Sequence, residues 1–403
     1  MAQASNSETG NPAIPMRALL AGARRKQSQL LDLTKKLVLA ESPSDDKSAV
    51  DACMDLAVAH AKSLGGPGFV KVKRHRQRLW GDVLELRFGP RKPASRILLL
   101  GHLDTVWPIG TLKSMPCRIA ADPAGQQRLY GPGTLDMKAG VAMAFTAIEM
   151  LQEVRPSGQD EIILLLNSEE EVGSPISRPI TESLAQECRA VYVLEPAQGL
   201  AYKTSRKGTG NWRITVHGLA AHAGVDFTRG RSAILELARQ IEKISAWTDL
   251  KKGITLNVGV IGGGTKSNVV PAEAWAEIDL RVAKRADGPR MEKRFAALKP
   301  TPKSGCTLTI EGGINRPPME RTRGTVQLFH RAQSLAAEIA TEFGGQLTEA
   351  ATGGASDGNF TSALGIPTLD GMGAVGEGAH ATHESILLDH VAPRTALLAA
   401  MLA

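Results

Sequence analysis

The stretch RILLLGHLD, residues 96–104, decides the fold. Residues 96–100 form a nearly continuous apolar run, the pattern of a strand buried on both faces, as strands of a parallel sheet are. The run ends in Gly101-His102-Leu103-Asp104. A histidine at the carboxyl end of such a strand stands where open α/β sheets gather their ligand groups.

On either side of this run, strand and helix patterns alternate. Upstream lie helical patterns at 27–39 and 47–64, the second behind the turn-like SPSDD, and strand patterns at 70–74 and 83–88. Downstream come GPGTLDMKAG, a small-residue helix at 139–151 and the strand EIILLLN at 161–167. A helix near 180–187 and a strand at 190–195 follow. This order predicts an α/β catalytic domain with a mostly parallel sheet flanked by helices.

From Gly208 the texture changes. A strand at 211–216, a helix at 231–245, strands at 254–261 and 274–282, a helix at 288–298 and a strand at 307–311 give the order β-α-β-β-α-β. That is a ferredoxin-like sandwich. Because α/β texture resumes at 326–343, the sandwich reads as an insertion. The expected division is 16–207 and 316–403 for the catalytic domain, with 208–315 inserted.

Composition bounds the rest. A chain of 403 residues exceeds the size at which one core keeps growing, and 42% hydrophobic with 22% charged residues is ordinary for a globular enzyme. The net charge of +7 is scattered. Short groups such as Arg24-Arg25-Lys26 read as solvated surface, so no nucleic-acid partner is expected. No run approaches the roughly 20 apolar residues of a membrane span. Cys53, Cys117, Cys188 and Cys306 are far apart, with neither a disulfide framework nor a Cys-x-x-Cys site. The first fifteen residues read as a loose tail without signal-peptide features, and the expected location is cytoplasmic.

Acidic and histidine residues gather at the ends of the α/β strands. His102 ends one, and Asp104 is placed to accept its other ring N–H. Gly131-Pro132-Gly133-Thr134-Leu135-Asp136 puts Asp136 on a tight turn before a helix. Glu169-Glu170-Glu171 follows the strand at 161–167, Glu195 follows the strand at 190–194, and His380 and His383 share a glycine-rich loop near the C-terminus. His60, His75, His217, His330 and His390 lie outside this set. Two zinc-like ions about 3.5–4 Å apart require a bridging carboxylate, imidazole and carboxylate ligands, and a further carboxylate free to move a proton. Asp136 suits the bridge. His102 and Glu195 suit one ion; a glutamate of the triplet and a histidine of the loop suit the other.

GHLDTV, GPGTLDMKAG, NSEEEVGS, LEP, AAHAG, SNVVPAEAWAEIDLRV and GAHATHE occur in this order. Together they resemble the co-catalytic zinc aminoacylase and carboxypeptidase G family, the relatives of acetylornithine deacetylase and succinyl-diaminopimelate desuccinylase, with the glutamate carboxypeptidase branch nearest. The resemblance spans roughly residues 30–400. It implies two Zn²⁺ per subunit, with Mn²⁺ or Co²⁺ also suited to the set. It makes Glu170 the base and Glu171 the ligand, leaves Glu169 peripheral, and selects His380 over His383. It implies a cis peptide after Asp136, and a lid and homodimerisation role for the inserted domain. It implies that His222 reaches a partner's site to stabilise an oxyanion. Asn268, Arg281 and the Gly354 loop would receive a substrate carboxylate.

The expected activity is cleavage of an amide beside a free carboxylate, in a C-terminal glutamate-like residue or an N-acyl amino acid. Aminoacylase, auxin-conjugate hydrolase and hydrolytic deaminase chemistry could use the same residues. A non-catalytic binding protein fits poorly, since all six metal and base positions are filled.

Overall fold

The computed structural model describes residues 14–65, 68–155 and 160–403. The expected loose tail therefore lies outside the described residues, except for Ile14 and Pro15. Helix α1 (Met16–Leu39) begins well before the 27–39 pattern, because Met16, Leu19, Leu20 and Ala23 are buried too. Next come α2 (Lys47–Ser63), β1 (Val70–His75), β2 (Val83–Phe88), β3 (Arg96–His102) and the hairpin β4 (Arg118–Ala121) with β5 (Gln127–Tyr130). Then follow α3 (Ala139–Val154), β6 (Glu161–Asn167), α4 (Ser177–Gln186), β7 (Ala190–Val193) and β8 (Tyr202–Arg206).

The RILLLGH run is β3, and it lies inside a six-stranded sheet of order β1-β2-β6-β3-β7-β16, where β16 is Thr368–Leu369. The pairs β3–β6, β3–β7 and β7–β16 are parallel; β1–β2 and β2–β6 are antiparallel. Successive side chains of β3 point to opposite faces. Leu98 and Leu100 pack with Ile163, Leu165, Val191 and Val193 under Leu184 and Ala185 of α4. Ile97 and Leu99 join Leu164 and Leu166 in the larger core built on α1, α3 and the C-terminal helix Val391–Leu402. Each such side chain contributes about 1.5–3 kcal/mol on full burial, so both layers are anchored on the strand that carries His102.

The inserted segment contains β9 (Gly208–His217), β10 (Ala221–His222), α5 (Ala233–Ser245), β11 (Thr255–Gly263), β12 (Val269–Val270), β13 (Glu273–Val282), α6 (Asp287–Ala296) and β14 (Thr307–Arg316). Its main sheet has the order β11-β13-β9-β14 with all neighbours antiparallel, which is the predicted β-α-β-β-α-β sandwich. Trp212, Ile214, Ala276 and Ile278 meet Leu237, Met291 and Phe295 in a core of their own. The Trp212 and Phe295 rings stack 4.3 Å apart at 9°. Strand β14 runs past residue 311 to Arg316, which brings the chain back to the catalytic layers.

The return passes through α7 (Arg323–Ala337), β15 (Glu349–Thr352), β16, β17 (Gly376–Glu377) and β18 (Ser385–Leu387). Strand β18 pairs with β5 and β17, joining the loop of His380 to the turn of Asp136.

Candidate metal centre

The parallel strands deliver their carboxyl ends to one edge of the sheet. β3 ends on His102, β6 leads into Glu169-Glu170-Glu171, and β7 stops just before Glu195. Asp136 lies between β5 and α3 on a turn that Gly131 (φ 150°) and Gly133 (φ 70°) make, in a backbone region open to glycine. The Asp136–Met137 peptide is cis, as the resemblance implies. His380 adopts φ 60° after Gly378, an uncommon conformation for a side-chain-bearing residue, and one that clusters at functional sites.

Asp136 stands at the centre. Its Oδ1 is 3.3 Å from His102 Nε2, and its Oδ2 is 3.4 Å from His380 Nε2. Glu195 Oε1 lies 3.8 Å from His102 Nε2, and Glu171 Oε2 lies 3.1 Å from His380 Nε2. Zinc ligands at about 2.0–2.2 Å in tetrahedral array sit about 3.3–3.6 Å from one another, so these spacings fit one ion on each side of Asp136. His102, Asp136 and Glu171 form one close donor group, and His102, Glu170 and Glu195 another. His102 Nδ1 lies 3.0 Å from the Asp104 carbonyl, which fixes the ring proton there and leaves Nε2 as the ligand atom.

The charges are those of a cation site. Burial pushes the Glu195 carboxyl up to about 7, helped by the nearby Asp136 and opposed by Arg206. Burial also raises Glu171. Hydrogen bonds to Asp136 and Glu171 push His380 up to about 10. Burial alone would lower His102, yet the carboxylates of Asp104 and Asp136 hold it well above the usual imidazole range. Crowded carboxylates and protonated imidazoles are relieved together when cations replace the protons.

A model of the peptidase family M20/M25/M40 matches residues 98–403. The chain belongs to this family. It is 27% identical over 389 residues to carboxypeptidase G2 of Pseudomonas sp. (strain RS-16), covering 95% of this chain and 91% of that protein. It is 27% identical over 383 residues to succinyl-diaminopimelate desuccinylase of Stenotrophomonas maltophilia (strain R551-3), covering 90% and 96%. Among solved structures it is similar to Bacillus subtilis YXEP, described as a dinuclear metal-binding peptidase of the same family, with a TM-score of 0.65, 12% identity, and 94% and 97% of the two chains covered. The family drawn from the motifs is therefore the right one, and the chain is a hydrolase of that family with a candidate metal site.

Around the centre of this M20-family chain, several residues do work that local sequence does not announce. Asp104 does not take the His102 ring proton through its carboxylate, which stands 3.4 Å from Nδ1. That carboxylate instead accepts from Ser44 Oγ at 2.7 Å and from the backbone N–H groups of Glu170 and Glu171 at 3.1 Å each, fixing the glutamate turn. Glu169 is not peripheral. It is buried and accepts from the N–H groups of Ile176 and Ser177 at the start of α4. Glu384 accepts from the N–H groups of Gly133 (2.9 Å), Leu135 (2.8 Å) and Asp136 (3.0 Å), and from Trp107 Nε1 (2.9 Å). Its one sequence signal was its place at the end of GAHATHE.

The residues expected to hold substrate are only partly brought together. Arg281 reaches the Gly353 carbonyl at 3.4 Å, beside Gly354, with its guanidinium held at 2.8 Å by each oxygen of Asp279. Asn268 lies elsewhere, against the turn of His222, its carbonyl accepting from Ala223 N–H at 3.0 Å. His222 is exposed, and its Nδ1 accepts from Gly224 and Val225 N–H groups, which leaves Nε2 facing outward. His383 is exposed and takes no part in the ion pairs of the centre.

Proposed function

We propose that this chain is a two-metal amidohydrolase that releases a glutamate-like C-terminal amino acid from a small acyl-amino acid or peptide-like substrate. The observation that carries this reading is the placement of Asp136, with one oxygen toward His102 and the other toward His380. Two divalent ions, zinc by default, would be held by His102, Asp136 and Glu195 and by Asp136, Glu171 and His380. Bound there, they supply a Lewis acid for the amide carbonyl and make water acidic enough to attack near neutral pH.

Glu170 takes the proton of the attacking water and returns it to the leaving amine. Its Oε1 is engaged by Arg316 at 2.9 Å, and its Oε2 makes no hydrogen bond among the described residues. Arg281 and the Gly354 backbone receive the substrate carboxylate at the rim of the centre. His222 donates Nε2–H to the oxyanion from a second copy of the chain, and Asn268 travels with it because its carbonyl is hydrogen-bonded to the turn of His222, where β10 pairs with β12. Val225 (78% exposed), Phe227 (67%) and the edge-strand residue Ile261 (65%) offer the apolar surface for such a homodimer. Residues 208–315 then act as lid and dimerisation domain, with 16–207 and 316–403 as the catalytic domain. None of the described helices is long and apolar enough to cross a membrane. The four free thiols fit a reducing, cytoplasmic setting.

The test is hydrolysis of N-acyl amino acids against C-terminal glutamate amides by the zinc-loaded protein, with and without chelator. Chelator-sensitive release of glutamate supports the proposal. Faster release from simple acyl groups on other amino acids would replace it with a deacylase.

A further inference from the structure

Two chain segments connect the sandwich of β9–β14 to the catalytic layers, and they lie side by side. Arg206 N–H donates to the Met319 carbonyl at 2.9 Å, and Met319 N–H returns the bond to Arg206 at 3.1 Å. Thr209 faces Arg316 in the sheet register. Each segment carries one buried arginine that reaches back to the metal centre. The Arg206 fork grips Asp370 at 2.7 Å on each oxygen, and its Nη2 stands 3.4 Å from Glu195 Oε2. Arg316 Nη2 contacts Glu170 Oε1 (2.9 Å), the Glu170 carbonyl (3.0 Å), Ser174 Oγ (2.9 Å) and Asp357 Oδ1 (2.8 Å).

Neither arginine is a metal ligand. Arg316 keeps a buried Nε without an acceptor, a cost that a residue retained for stability alone does not need to bear. Two of its four contacts fall on Glu170, one on the carboxylate and one on the backbone, while Ser174 and Asp357 hold the same nitrogen in place. It is also the last residue of edge strand β14 and is followed by Pro317-Pro318, so its position follows that of the sandwich.

Resting on Glu170 as the base, we propose that Arg316 is its positioning residue, tying the base to the sandwich at the point where the chain crosses back. It fixes Oε1 and turns Oε2 toward the reacting water. A shift of the sandwich is thereby transmitted to the base through one guanidinium.

The experiment compares zinc-loaded wild type with Arg316→Lys and Arg316→Met. The expected result is a kcat lower by about 100-fold, the scale of a misplaced catalytic group, with KM and zinc content little changed. Guanidinium added to Arg316→Ala should restore part of the rate. A crystal structure of zinc-loaded Arg316→Met should show the Glu170 carboxylate displaced while Glu171 stays in place. An undisplaced Glu170 overturns the inference whatever the activity. A raised KM with unchanged kcat overturns it too, marking Arg316 as a substrate anchor. Loss of folding in both the Lys and Met variants would mark it as structural only. Should wild type hydrolyse no amide, the parent reading fails separately, and the displacement still decides the role of Arg316.

Discussion

Glu384 accepts the backbone N–H of Asp136 at 3.0 Å, and it does so with an oxygen that also takes Leu135 N–H at 2.8 Å. Its other oxygen holds Gly133 and Trp107. One buried carboxylate thus aims the turn that presents the central ligand. Glu384→Gln puts an amide NH2 against two of these four donors, whichever oxygen it replaces. Zinc affinity should fall by about 10–100-fold, the usual cost of losing a partner behind a ligand, as read by competition with a chromogenic chelator.

Asp136→Ala should remove both ions rather than one, because each of its oxygens faces a different histidine. Elemental analysis after desalting reads the outcome. Two fully retained metals would rule out the shared carboxylate.

Glu170→Gln should keep its metals and lose turnover. Glu170 is buried within reach of His102 and Glu195, but the resemblance assigns it the proton. The expected fall in kcat is about 10²–10⁴-fold, with zinc content at the wild-type level.

His222→Ala and Glu170→Gln should each be inactive alone and recover activity when unfolded together and refolded as a mixture. In a mixed dimer, one site has its own Glu170 and the partner's intact lid histidine. No recovery would place His222 in its own chain's site or outside the chemistry.

Acid sensitivity should trace in part to Asp82, away from the metals. Burial works to raise its carboxyl, but Lys47 Nζ at 2.8 Å, Gln77 N–H at 3.0 Å and Arg76 outweigh it and hold the carboxyl below its usual range. A depressed folded value means the stabilisation is complete above the unfolded pKa, near 3.9, and is lost as pH falls through the folded value. Asp82→Asn should therefore be less stable at pH 7, by about 2 kcal/mol. Urea midpoints of the two proteins should converge only as the pH falls below the depressed folded value of Asp82.

Much of this molecule was legible in sequence where the signal was local. The unbroken apolar run of β3 gave a two-sided buried strand, and alternation along β9 and β13 gave the sandwich. His102, Asp136, Glu171, Glu195 and His380 each follow a strand or a glycine turn, so their convergence could be inferred. Partnerships across the chain could not. Glu384 meets Leu135 across 249 positions, and Arg316 meets Glu170 across 146. Little in their neighbours marks them: three of the four donors to Glu384 are backbone N–H groups common to every sequence, and the side chains that Arg316 meets lie far from it along the chain. Arg281, expected to receive a substrate carboxylate, has an engagement of the other, local kind. Its partner, Asp279, is only two positions away on the same sheet face.

The placement of the ligands has a consequence for the whole chain. Glu171 and His380 are 209 positions apart, and they approach only when the end of β6 and the C-terminal loop are both in place. An ion held there would cross-link these two distant segments. The melting temperature should then rise with free zinc, as expected for any ligand that binds the native state alone. Metal scarcity would reach this enzyme as lost lifetime as well as lost rate.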